Sequence, residues 1–198
     1  MGLAILVLGL AVFIGAHVFV TRRKARAAVI ARIGLGPYKG LFSAVAIVGL
    51  ALIIVGFGRY RATGWIDVWY PPAWTRQVAI PLVWLAFISV VAAYVPGNIK
   101  RWLKNPMLVG VKLWALAHLI ANGDLGSIIL FGAFLLWAGY DRITLNYRAD
   151  AGAPPIPTGG WANDGVAILA GTIIFLAFGY VVHPLWIGVP VFTTATGA

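Results

Sequence analysis

The sequence contains no cysteine, only two methionines and only five acidic residues, all of them aspartate, in 198 positions. Without cysteine there is no disulfide, no thiolate metal ligand and no Cys-x-x-Cys-His attachment of a c-type haem. Any bound metal would be held by nitrogen or oxygen, or by the thioether of Met1 or Met107. Asp67, Asp124, Asp141, Asp150 and Asp164 all fall in turns or at the ends of apolar runs. No carboxylate pair or relay is left for chemistry at mid-membrane, which argues against a transporter driven by protonating carboxylates. The sequence also has no glycine-rich phosphate loop and no serine nucleophile placed beside a histidine.

Apolar residues dominate instead. They make up 62% of the chain against 10% charged, with a mean hydropathy of +0.94. That leaves too little polar surface to coat a water-facing core, so hydrocarbon is the main solvent and the chain reads as an integral membrane protein. The net charge of +10 raises the question of nucleic acid. Its lysines and arginines, however, cluster at the ends of apolar runs, where they meet lipid headgroups, and no separate basic domain exists for a nucleic acid to bind.

Six stretches approach the roughly 20 apolar residues a span requires. They cover residues 2–20, 40–58, 78–96, 106–121, 125–140 and 165–182. The expected fold is an all-α membrane protein, one domain over residues 1–198, built as a bundle of six transmembrane helices. Its fourth and fifth spans are short, and Asn122-Gly123-Asp124 joins them as a central helical hairpin. Pro81 is expected to bend or restart the third span. Residues 141–164, with Pro154-Pro155-Ile-Pro157-Thr-Gly-Gly160, read as a linker. Small residues at helical spacing, Gly2, Gly9 and Ala16, Gly49 and Gly56, Ala167 and Gly171, suit close helix approach.

Positive charge sets the orientation. Six lysines and arginines lie between Thr21 and Lys39, three between Arg59 and Gln77, three between Gly97 and Asn105, none around Gly123, and two between Asp141 and Asn163. Alternate loops are therefore rich and poor, which places the first, third and fifth loops in the cytoplasm and both termini on the other side. The first apolar run is expected to be an uncleaved span, because Arg22, Arg23, Lys24 and Arg26 follow it instead of preceding it. Trp65, Trp69, Tyr70 and Trp74 on the outer side form an aromatic belt, or the rim of a ligand entrance.

Chemistry is carried by few residues. His17, His118 and His183 each lie within or at the end of a span. An ionisable group at membrane depth costs about 3 kcal/mol or more, so such a side chain faces the bundle interior and is a functional candidate. Imidazole ligation of a b-type haem suits three histidines and no cysteine. A catalytic zinc fails, since it needs three ligands at one depth. Depth pairs His118, about 18 Å along its helix from Pro106, with His183. His17 lies toward the inner end of its own helix. Arg59, Arg61 and Arg76 would meet headgroups or haem propionates. Lys112 snorkels to the cytoplasmic interface or contacts a substrate or haem propionate.

The run Pro106-Met-Leu-Val-Gly-Val-Lys-Leu-Trp-Ala-Leu-Ala-His-Leu-Ile-Ala-Asn-Gly-Asp124 resembles the signature of the NnrU family of bacterial membrane proteins. Gly15-Ala-His17, Gly36-Pro-Tyr-Lys-Gly-Leu-Phe-Ser43, Tyr140-Asp-Arg142 and His183-Pro-Leu-Trp-Ile-Gly188 fit the same pattern, so the likeness covers most of the chain. The resemblance implies a place in nitrite and nitric oxide metabolism of denitrifying bacteria, in the inner membrane. It also implies kinship with 15-cis-zeta-carotene isomerase, a haem b enzyme whose essential histidines match His17 and His118. Asn105 stands where family members commonly carry histidine, and the isomerase's cysteine has no counterpart here. Three readings stay open at this stage. The first is a haem b protein in redox or nitric-oxide-linked metabolism, with a redox partner or diatomic ligand. The second is a haem-dependent isomerase of a polyene, and the third a cofactor-free accessory protein.

Overall fold

The computed structural model describes residues 1–146 and 159–192. Among them are eight α-helices and no strand; a single antiparallel bridge pairs Asp67 with Asp124. The helices are α1 (Gly2–Thr21), α2 (Arg23–Ile33), α3 (Leu35–Thr63), α4 (Trp74–Ala92), α5 (Asn98–Leu103), α6 (Pro106–Ala121), α7 (Leu125–Asn146) and α8 (Trp161–Ala177). A π-helical segment, Phe178–Ile187, continues α8. Five helices are long and apolar enough to cross a membrane: α1, α3, α4, α7 and α8 with its π-helical continuation. The sixth expected span, α6, is apolar but has only 16 residues.

Two loops of the expected topology are helical. Residues 23–33 form α2 because Arg-Lys-Ala-Arg-Ala-Ala favours helix, and Gly34 at φ +84° ends it with a backbone only glycine adopts without strain. Residues 98–103 form α5. The α4 helix runs through Pro81 without restarting, and it begins at Trp74, four residues before the expected boundary. The Pro154–Pro157 stretch and Asp150 lie outside the described residues.

The helices divide into two compact units, one of residues 1–71 and 122–149, the other of residues 72–121 and 150–198. In the first, α1 and α3 pack antiparallel along a glycine seam. A Cβ on Gly49 would stand 2.8 Å from the Phe13 backbone nitrogen, and one on Gly9 would stand 2.6 Å from that of Ile53. Gly56 meets Leu6 in the same way. Glycine serves here because association in lipid relies on close van der Waals fit, with little hydrophobic drive between helices. Alongside, α7 runs parallel to α1, as the pairs Phe13 with Phe134, His17 with Trp137 and Thr21 with Tyr140 establish.

In the second unit α4 is central and packs against α6 and α8. Gly171 meets the Ile88 backbone, and Trp84 Nε1 donates to Thr172 Oγ1 at 2.9 Å. The two helices of the expected hairpin, α6 and α7, belong to different units. Within its unit α6 lies on α4, and within the other α7 lies on α1.

Two of the aspartates assigned to turns prove to be buried caps. Asp124, 1% exposed, closes the turn before α7, and its Oδ1 accepts the Ser127 amide at 2.9 Å. The loop before it is pinned by Gly123 O, which accepts the amides of Val68 and Trp69, and by the Leu125 amide donating to Ile66 O. Asp164, 4% exposed, accepts the Ile99 amide at 2.9 Å and Asn98 Nδ2 at 2.8 Å, capping α5 from the first turn of α8.

Candidate functional site

In α1, His17 is half-buried, and its Nδ1 lies 2.7 Å from the carbonyl oxygen of Phe13, one turn earlier. A carbonyl only accepts, so Nδ1 carries the proton and the neutral ring keeps its lone pair on Nε2. The imidazole is boxed by aromatic rings. Phe13 lies 4.3 Å away by centroid, Phe42 5.2 Å and Trp137 5.3 Å, the last nearly perpendicular at 77°. Trp137 Nε1 is buried without a hydrogen-bond partner. In an apolar setting an unmet indole N–H costs about 1–3 kcal/mol, so this atom marks a place where an acceptor is wanted.

His118 in α6 repeats the device. Its Nδ1 donates to Trp114 O at 2.8 Å, again one turn back, and the Trp114 ring lies 5.4 Å from the imidazole. His183 differs. It sits in the π-helical segment, whose wider turn brings Phe178, five residues earlier, to 6.2 Å. Its Nδ1 donates forward to Val189 O at 2.6 Å. His118 and His183 belong to the same unit, the one pair of histidines that does. His17 belongs to the other unit.

The cations fall into different settings. Arg59 is exposed and Arg61 half-buried in the final turns of α3. Arg76 in α4 is spoken for by backbone: its Nη2 donates to Pro190 O and to Val191 O, both at 2.6 Å. Together with Gly188 at φ +76° and the Phe192 ring against Tyr180, this folds residues 188–192 back on the end of the last helix. Lys112 is half-buried on α6. Among the described residues no group of three or more His and Asp side chains could hold a metal ion by itself.

The residues fit a haem in the chemistry of their donors. A metal-binding histidine characteristically gives its other ring N–H to a carbonyl or carboxylate, which fixes the tautomer and aims the lone pair. All three histidines do this. The aromatic walls and the unmet Trp137 N–H were not singled out from sequence. The signal was present nonetheless: an aromatic residue stands four positions before both His17 and His118.

The family model described as NnrU protein matches residues 5–191, nearly the whole length. The chain therefore belongs to the NnrU family. No curated protein and no solved structure matches it.

Proposed function

We propose that this NnrU-family protein is a multi-span protein of the bacterial inner membrane that binds haem b with His118 as an axial ligand, in redox or nitric-oxide-linked metabolism. The observation that carries the reading is the shared set of imidazole hydrogen bonds, in which Nδ1 of each ring donates to a backbone carbonyl and so fixes the tautomer, as in metal-binding histidines. The family resemblance implies His17 as second ligand, while helix depth and a shared unit favour His183. Haem held by imidazole supplies a one-electron couple and, with one ligand displaced, a position for a diatomic molecule. The protein's part is to orient these nitrogens, to wall them with Phe13, Phe42, Trp114 and Trp137, and to keep water away. Arg59 and Arg61 are the candidates for pairing with propionates, and Lys112 for a contact from α6. With the short α6 as a sixth crossing, the loop charges put both termini on the non-cytoplasmic side.

Oxidised and reduced optical spectra of the detergent-purified protein test the proposal. A Soret band with sharp reduced α and β bands is expected. Its absence after expression in haem-replete cells would leave the accessory-protein reading. A second reading is favoured by the aromatic box around His17, whose rings also suit a conjugated chain: a haem-dependent isomerase of a polyene. Conversion of a cis-carotene added to the reduced holoprotein would select it.

A further inference from the structure

The elbow between α1 and α2 concentrates positive charge where the first span ends. Arg22, Arg23, Lys24 and Arg26 follow the apolar run directly, and Arg32 and Lys39 lie close behind in sequence. The first acidic residue of the chain is Asp67. An open cleft of about 490 Å³ is lined by Thr21, Arg22, Arg23, Lys24 and Ala25. Next in sequence after this lining, the Arg26 guanidinium lies over the Tyr38 ring at 5.5 Å from the centroid. Each member of this pair has an unmet donor. Arg26 Nε and the Tyr38 hydroxyl are both buried without a hydrogen-bond partner, and Tyr38 as a whole is only 7% exposed.

A buried guanidinium N–H and a buried phenol call for the same thing, an oxygen acceptor, and with this surplus of cations the acceptor is an anion. The first turn of α2 holds no acidic residue, so the positive end of its dipole is not offset there. We propose that the α1–α2 elbow is a phosphate-binding site in which Arg26 and Tyr38 grip the anion while Arg22, Arg23 and Lys24 gather it. A phosphate reaches this place either as the headgroup of an anionic phospholipid or as a free ion. The lipid is the better match, because the cleft begins at Thr21, the last residue of a membrane-length helix. The site is independent of the haem reading: it uses no histidine and none of the residues around one.

The full chain in nanodiscs of phosphatidylcholine with a graded share of phosphatidylglycerol provides the test, read as lipid retained on the protein by native mass spectrometry. Arg26→Gln is expected to weaken retention of phosphatidylglycerol about fivefold. Tyr38→Phe, a change that removes only the hydroxyl, should weaken it about threefold. Arg101→Gln, an equal loss of charge on α5, serves as control and leaves retention unchanged. Competition by millimolar inorganic phosphate in detergent would establish the same site with the free ion as its ligand. Retention unaltered in both Arg26→Gln and Tyr38→Phe, or reduced as much by Arg101→Gln as by Arg26→Gln, overturns the proposal, since generic charge would then explain the binding. Tyr38→Phe keeps the ring under Arg26, so its outcome stands even if Arg26→Gln disturbs the elbow.

Discussion

His17 in α1 and His118 in α6 belong to different units, yet each gives Nδ1–H to the carbonyl of an aromatic residue four positions earlier and lies against that residue's ring. His183 does neither, because its segment is π-helical and its ring bonds forward to Val189. Hydrogen bonding to the preceding turn needs no partner outside the helix and locks the tautomer. The bond to Val189 instead ties down the segment that Arg76 also holds. The lesson is that three histidines of equal standing in a composition table occupy two kinds of place. Two are aimed by their own helix, and one is also engaged in fastening the end of the fold.

That contrast can be broken by substitution. Replacing His118 with Ala should abolish most haem absorbance, and an unchanged Soret band would remove this residue from the ligand set. Next comes the choice of partner. If His17 is the second ligand, His17→Ala converts the low-spin spectrum to high-spin while His183→Ala leaves it alone. The reverse outcome would assign the pair to His118 and His183 and leave His17 as a packed residue.

A smaller effect tests the packing that carries His17. Gly49→Leu pushes side chain into the Phe13 backbone and should cost about 1–3 kcal/mol, seen as a lower melting temperature in detergent. Melting at the wild-type temperature would mean that the α1–α3 seam is looser than the contact requires. Loss of a cap is milder still. Asp124→Ala should destabilise by about 1 kcal/mol with any haem spectrum retained; a spectrum lost at full stability would give Asp124 a role beyond capping α7. The subtlest change is Trp137→Phe, which removes the unmet indole N–H and keeps the aromatic wall. A shift of a few nanometres in the reduced bands is expected if a cofactor atom accepts from it, and identical bands would place that acceptor elsewhere.

Much of this was legible beforehand, and the reasons are local. Residues 106–121 and the start of α1 match their expected spans, because hydropathy is a sum over neighbours in sequence. Gly9, Gly49 and Gly56 were expected at interfaces and stand there, since only a missing side chain admits a backbone at such distances. The α2 helix is not visible to hydropathy, since its four arginines and lysines offset its alanines over residues 23–33. Asp124 and Asp164 were read as turn residues, and the partners that bury them, the Ser127 amide and the α5 terminus, are set by packing.

By itself, then, the sequence determined the solvent of this protein, the approximate helices, their glycine contact points and the family to which the chain belongs. Each of these depends on residue type within a turn or two, or on a pattern carried along the chain. The tertiary structure alone decided that Phe42 and Trp137 close on His17, that Arg76 is taken by the carbonyls of residues 190 and 191, and that the Arg26 guanidinium lies over the Tyr38 ring. Those facts join residues 12 to 120 positions apart, and only the packed fold sets such distances.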